Sequence, residues 1–235
     1  MTVALLLFTS CINCNWGEKI APSKTMAKKE YKMEAFTKME VNVLAHVKIV
    51  QGQDDDYRVV LSAPDNYLDF YEFKVDNDEL EIGFVRGNLN IESGKVKIMV
   101  YTPTLREVEN KGVCTIETDS LKGDILKVDN EGVGEIKMKG LNMDKIAVEC
   151  SGIGGIDLRG VANWVSLDCS GVGGISAKHL KARRVKGEVS GVGGIDCYAS
   201  DSLKAVVTGV GSLRYGGNPA HKQLRRDGVG SIDEL

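Results

Sequence analysis

The sequence predicts an all-β fold: a parallel β-helix, or solenoid, with one chain wound into coils of about 20 residues. Three observations predict it. One phrase recurs as Cys150-Ser-Gly-Ile-Gly-Gly-Ile-Asp157, Cys169-Ser-Gly-Val-Gly-Gly-Ile-Ser176 and Val189-Ser-Gly-Val-Gly-Gly-Ile-Asp196. Weaker copies extend it both ways, so that first glycines fall at Gly112, Gly132, Gly152, Gly171, Gly191, Gly209 and Gly228, in steps of 20, 20, 19, 20, 18 and 19. Two aliphatic columns accompany those glycines in all seven copies.

The first column, directly after the glycine, reads Val113, Val133, Ile153, Val172, Val192, Val210, Val229. The second, three further on, reads Ile116, Ile136, Ile156, Ile175, Ile195, Leu213, Ile232. Residues before the glycine alternate polar and apolar with the period of a strand. Each copy therefore reads as strand, tight Gly-Val-Gly corner, strand, and a second turn near Gly140, Gly160 or His179. The flanking glycines are expected to supply positive φ at the corner. A 20-residue coil cannot close a core alone, but coils stacked at about 4.8 Å turn both aliphatic columns into internal ladders. Each buried Val or Ile then contributes roughly 1.5–3 kcal/mol.

The column two before the glycine reads Asn110, Asn130, Cys150, Cys169, Val189, Val207, Arg226, and alternation turns it inward. Cys150 and Cys169 become neighbours one coil apart. The spacing allows a disulfide, and stacked free thiols acting as small hydrophobes are the favoured reading. The third residue back faces outward as an acidic stripe: Glu109, Asp129, Glu149, Asp168, Glu188. Such neighbours repel by roughly 1 kcal/mol per pair in water. Lys127, Lys137, Lys139, Arg159 and Lys186 are nearby cations that would offset this; a bound cation or basic partner is the functional alternative.

Composition narrows the classes. A net charge of −3 gives no basic footprint, which argues against nucleic acid. Glycine is lopsided, with 22 of 27 from Gly112 onward. Six cysteines at 11, 14, 114, 150, 169 and 197 lack the spacing of a disulfide scaffold or zinc module.

In chain order, residues 1–11 form a short apolar run ending at Cys11, too short to span a bilayer. Phe8-Thr9-Ser10-Cys11 resembles a bacterial lipobox, which makes Cys11 the expected site of lipidation. Residues 12–35, polar and lysine-rich, read as a tether. Residues 36–235 read as one solenoid body, with 36–105 as irregular opening coils and 106–235 as the regular repeat. Residues 41–49 alternate as one long half-buried strand, and further strands are expected over 57–63, 70–75, 80–85 and 96–101. Gly216-Gly-Asn-Pro219-Ala-His-Lys222 reads as a surface loop interrupting the stacking, and the last coil as an edge needing a cap, a charge or another subunit.

No catalytic set emerges. Carbohydrate-active β-helices need Asp, Arg, Lys or His converging on one outer face. The three histidines, at 46, 179 and 221, lie in unrelated contexts. Gly152-Ile-Gly-Gly-Ile-Asp157 has the wrong period for a calcium nonapeptide, and no nucleotide or zinc motif is present. The expectation is no enzyme, no cofactor and no metal.

The seven Gly-Val-Gly corners, the Tyr101-Thr-Pro-Thr-Leu105 segment before them and the lipobox-like start resemble the head GIN domain family of auto-transporter adhesins. The resemblance covers about residues 36–235. It implies a right-handed β-helix-like body, export to the envelope of a Gram-negative bacterium, and adhesion through its outer faces without a shared catalytic set. Cys114 departs from the pattern by replacing the second corner glycine. The leading expectation is a lipid-anchored outer-membrane or cell-surface protein binding a glycan or protein, touching the membrane by its anchor alone. The alternatives are a carbohydrate-active β-helix enzyme and a self-assembling, homo-oligomeric scaffold.

Overall fold

The computed structural model describes residues 19–86, 89–92 and 95–235. Cys11 lies outside them. The chain is a β-solenoid with about 20 residues per coil. From Glu107–Asn110 onward all strand pairing is parallel, in register through the corners and shifted only at the second turn, over 138–141, 157–159 and 176–184. Cys150 sits on Cys169, and Ile136 on Ile156 on Ile175 on Ile195 on Leu213.

At each corner two successive N–H groups donate to one carbonyl of the coil below. Ser151 and Gly152 both donate to Asn130 O at 3.1 and 2.8 Å, and Ser170 and Gly171 to Cys150 O at 3.1 and 2.9 Å. That pinch presses backbone on backbone. A Cβ on Gly152 would lie 2.2 Å from Gly132 O, so the first glycine is needed for close approach. Positive φ, expected at the corner, occurs one position beyond the valine in two coils, at Gly134 (138°) and Gly154 (140°), and at none of the first glycines.

The isoleucine column is internal as expected: Ile116, Ile136, Ile156, Ile175 and Ile195 are buried. Opposite them run Val108, Val128, Val148 and Leu167, and where Gly187 leaves this row empty the Leu213 side chain reaches across. Leu126, Ile146, Val165, Val185 and Leu203 line a further wall.

The valine column is the main correction. Val113, Val133, Ile153, Val172, Val192, Val210 and Val229 are 44–79 % exposed. Positions three apart on a strand point to opposite faces, so the two columns cannot both be internal. The ladder exists, but it is an outer one.

Residues 36–105 add two coils and an antiparallel cap. The expected single strand over 41–49 is broken into Lys38–Val41 and Leu44–Gln51, which pair in parallel with Glu107–Asn110 and Val113–Thr118. The break is a further corner, with Val43 standing in the glycine row. Its buried side chain is accommodated because the preceding coil, Glu79–Phe84 followed by Lys97–Thr102, leaves the stack between them. Pro64 leads into a 3-10 helix, Asp65–Phe70. The hairpin Tyr71–Asp76 to Glu79–Phe84 turns on Asn77 and Asp78, both at positive φ, as a two-residue hairpin demands.

Two further expectations change. Lys19–Ile20 and Met26–Lys32, read as tether, are strands; the second pairs antiparallel with Arg58–Pro64, its lysines exposed and Ala27 and Tyr31 half-buried. The expected loop at 216–222 shrinks to 218–220, with Asn218 at φ 56°, and stacking resumes as His221–Arg226 on Ser202–Val207.

Unfolding in urea followed by circular dichroism measures the difference between the two columns. Ile156→Ala is expected to cost about 2–5 kcal/mol, and Ile153→Ala less than about 0.5 kcal/mol. Gly152→Val is expected to abolish native stacking. Equal costs at Ile153 and Ile156 would contradict the assignment of inner and outer ladders.

Candidate functional site

The stripe is a real column. Glu109, Asp129, Glu149, Asp168 and Glu188 are paired in register across five coils. The structure extends it to seven: Glu40 pairs with Glu109, and Glu81 with Glu40. Those two escaped sequence reasoning because their strands carry no glycine corner to align them.

Four of the seven carboxylates, Glu40, Glu109, Asp129 and Glu188, have a lysine as ion-pair partner. Two residues back, Glu79, Lys38, Glu107 and Lys127 form a neighbouring row of alternating sign. Lys127 bonds Asp129 at 2.6 Å and Glu107 at 3.0 Å, and Lys111 bonds Glu40 at 2.8 Å and Glu109 at 3.0 Å. These hydrogen bonds, Asp129 first for Lys127 and Glu40 first for Lys111, push both ammonium groups above the usual lysine range. Lys186 lies 3.8 Å from Glu188. Lys137 and Arg159, expected to serve the stripe, instead bond Glu135 and Asp157 in columns beyond the corner.

Asp129 departs from the expected solvated face: it is 6 % exposed, with Lys127 bonded to Oδ2 and Oδ1 left without a partner. At the centre, neither Glu149 nor Asp168 has an ion-pair partner among the described residues. Burial, then the charge of Glu188, raises the Asp168 carboxyl above the ordinary aspartate range. Among the described residues no three His, Cys, Asp or Glu side chains come together as a metal site.

The inward column carries a polar spine. Asn110 Nδ2 donates to Asn130 Oδ1 at 2.7 Å, and Asn110 Oδ1 accepts from Gly112 N at 3.0 Å and Cys114 Sγ at 2.9 Å. That contact accounts for Cys114 in place of a corner glycine. Cys150 and Cys169 are buried free thiols in hydrogen-bond contact, and that bond together with burial pushes Cys169 up. Burial alone raises Cys114 to about 12, and burial first of all raises Cys197 to about 12. These are packing groups. His46 bonds Glu117 at 2.7 Å as part of an outer charge ladder.

On the other side of the column the surface changes character. The exposed aliphatic ladder runs beside serines 151, 170 and 190, and two residues beyond it Gly155, Gly174 and Gly194 leave a trough of about 410 Å3. The far wall of the trough carries Lys137, Asp157, Ser176, Asp196 and Arg214.

The raised carboxyl of Asp168 has a pH consequence. Its folded pKa stands above the unfolded one, so the ionised group costs stability at neutral pH. Below the unfolded value of about 3.9 the cost is absent. Asp168→Asn is therefore expected to raise the melting temperature at pH 7, the gain vanishing below about pH 4. A gain that persists unchanged in acid would show that charge is not its source.

Comparison with known proteins agrees with this picture. A crystal structure described as a putative adhesin from Bacteroides fragilis matches at a TM-score of 0.88 and 32 % identity, covering 92 % of this chain and 100 % of that one. A putative lipid binding protein from Parabacteroides distasonis (TM-score 0.74, 19 % identity) and a putative adhesin from Parabacteroides merdae (0.68, 21 %) share the fold, each covering 93 % of this chain and 100 % of their own. No curated protein sequence matches. The model of the family described as "Putative auto-transporter adhesin, head GIN domain" matches residues 35–219, and the chain belongs to that family.

Proposed function

We propose that the protein is a non-enzymatic, exported surface protein that binds a macromolecular partner, a glycan or a protein, through the outer faces of its coils. The observation that carries this is the exposed ladder from Val113 to Val229. Scattered exposed aliphatics are ordinary, but seven in one row form the contiguous apolar patch that marks interaction surfaces. A flat partner meets the same chemistry at every coil, which suits an extended ligand. Family membership supports adhesion, and no helix among the described residues is long and apolar enough to cross a membrane. Lipidation of Cys11 would supply the attachment to an outer membrane.

Arrays of glycans and extracellular matrix proteins test this with the purified chain. Binding is expected, and it should weaken at least roughly tenfold in a Val172→Lys, Val192→Lys variant, equivalent to about 1.4 kcal/mol. Turnover on a glycan panel that is lost in Asp168→Asn or Glu188→Gln would instead favour a carbohydrate-active enzyme.

A further inference from the structure

The surface around the aliphatic ladder is corrugated, and its corrugation is complementary to itself. Four features run side by side along the stack: a groove of about 310 Å3 over Gly152, Gly171 and Gly191; the ridge of Ile153, Val172 and Val192; the glycine trough; and its charged wall. The backbone does not impose the trough throughout. A Cβ on Gly155 would meet only Gly174 O at 3.6 Å, an ordinary contact, and the same column holds Thr115, Glu135 and Ser212 in other coils. Gly154 next door is different, since its Cβ would lie 1.9 Å from Gly134 O. The trough is thus kept bare at Gly155, where the fold tolerates a side chain, while at Gly174 and Gly194 a Cβ would press on backbone oxygen at 3.0 Å.

We infer that a second copy of this chain docks here, parallel and side by side, about a two-fold axis running along the solenoid. Only that axis exchanges ridge with trough and groove with wall. An axis across the solenoid sets ridge on ridge and leaves both troughs open. Ridge and trough repeat at the same strand spacing of about 4.8 Å, so the three coils with a bare trough, at Gly155, Gly174 and Gly194, fit together in one register.

Charge agrees with the shape. In the parallel pair the wall of one copy faces the residues before the corner glycines of the other, level by level. Glu117, already bonded to His46 in its own copy, then meets Lys111, already bonded to Glu40 and Glu109, and Lys137, bonded to Glu135, meets Glu131. Asp157, Ser176 and Asp196 meet Ser151, Ser170 and Ser190, whose hydroxyls donate to carboxylates. Only Asp233 opposite Asp227 sets like charges together.

The bare trough spans three coils; the whole strip, seven coils long and about six residues across, is roughly 30 Å by 20 Å, at most about 600 Å2 per copy. Two copies bury the lower end of the range of roughly 1,200–2,000 Å2 for specific complexes. The pair is therefore a weak, concentration-dependent dimer. This inference rests on reading the ladder as an interaction surface, and names its occupant.

Sedimentation velocity of the purified chain, from low to several hundred micromolar, tests it. The expected result is a sedimentation coefficient that rises with concentration from the monomer to the dimer value. Val192→Lys on the ridge and, separately, Gly155→Val in the trough should each abolish the rise while keeping the wild-type melting temperature. A wild-type chain that stays monomeric throughout overturns the inference, as does a dimer that survives either substitution. A monomer that still binds the arrays through Val172 and Val192 overturns the second copy as occupant while leaving the proposed function standing.

Discussion

The structure depends on the pinch at the corners, where the backbone of one coil is drawn onto the backbone of the next. Two N–H groups converge on one carbonyl at successive levels, from Lys111 and Gly112 on Val41 O to Asp227 and Gly228 on Val207 O. No side chain fits between them, so the corner must be glycine wherever another coil lies directly below. Val43 shows the limit of the rule: the one corner in the row with a side chain is the one whose underlying coil has left the stack.

Once the corners superpose, everything else is placed by column. In-register parallel pairing turns each position of the repeat into a row, so inner rows are dry ladders and outer rows accumulate whatever the repeat carries there. This explains why the protein tolerates an unbroken column of seven carboxylates. The cost falls on the outer faces, and Lys111, Lys127 and Lys186 offset it at Glu40, Glu109, Asp129 and Glu188. The same rule produces the exposed aliphatic ladder. A side chain that would pass unnoticed once becomes a surface when it is repeated seven times.

The architecture also bears on why the proposed function is binding and not catalysis. A catalytic site needs different groups converging on one point. A regular stack offers the same groups in a line. What such a body does well is present long, uniform, commensurate surfaces.

Much of this was legible before any coordinates. The glycine period announced the solenoid and its coil length, the inward Ile156, Ile175, Ile195 row, the Asn-to-Cys column, and the five-carboxylate stripe, because all of these follow from counting along one repeat. Tertiary structure decided three things that counting does not. The valine column points outward, since its offset from the isoleucines is odd and only the actual bend shows which parity is inside. Glu40 and Glu81 join the stripe, since their register is set by stacking across chain segments with no shared motif. The segment 26–32, lysine-rich and unremarkable in sequence, pairs with 58–64 because an open strand edge there satisfies its backbone. A repeat encodes its own periodicity; which face meets the core, and what meets the ends, is settled only when the coils close on each other.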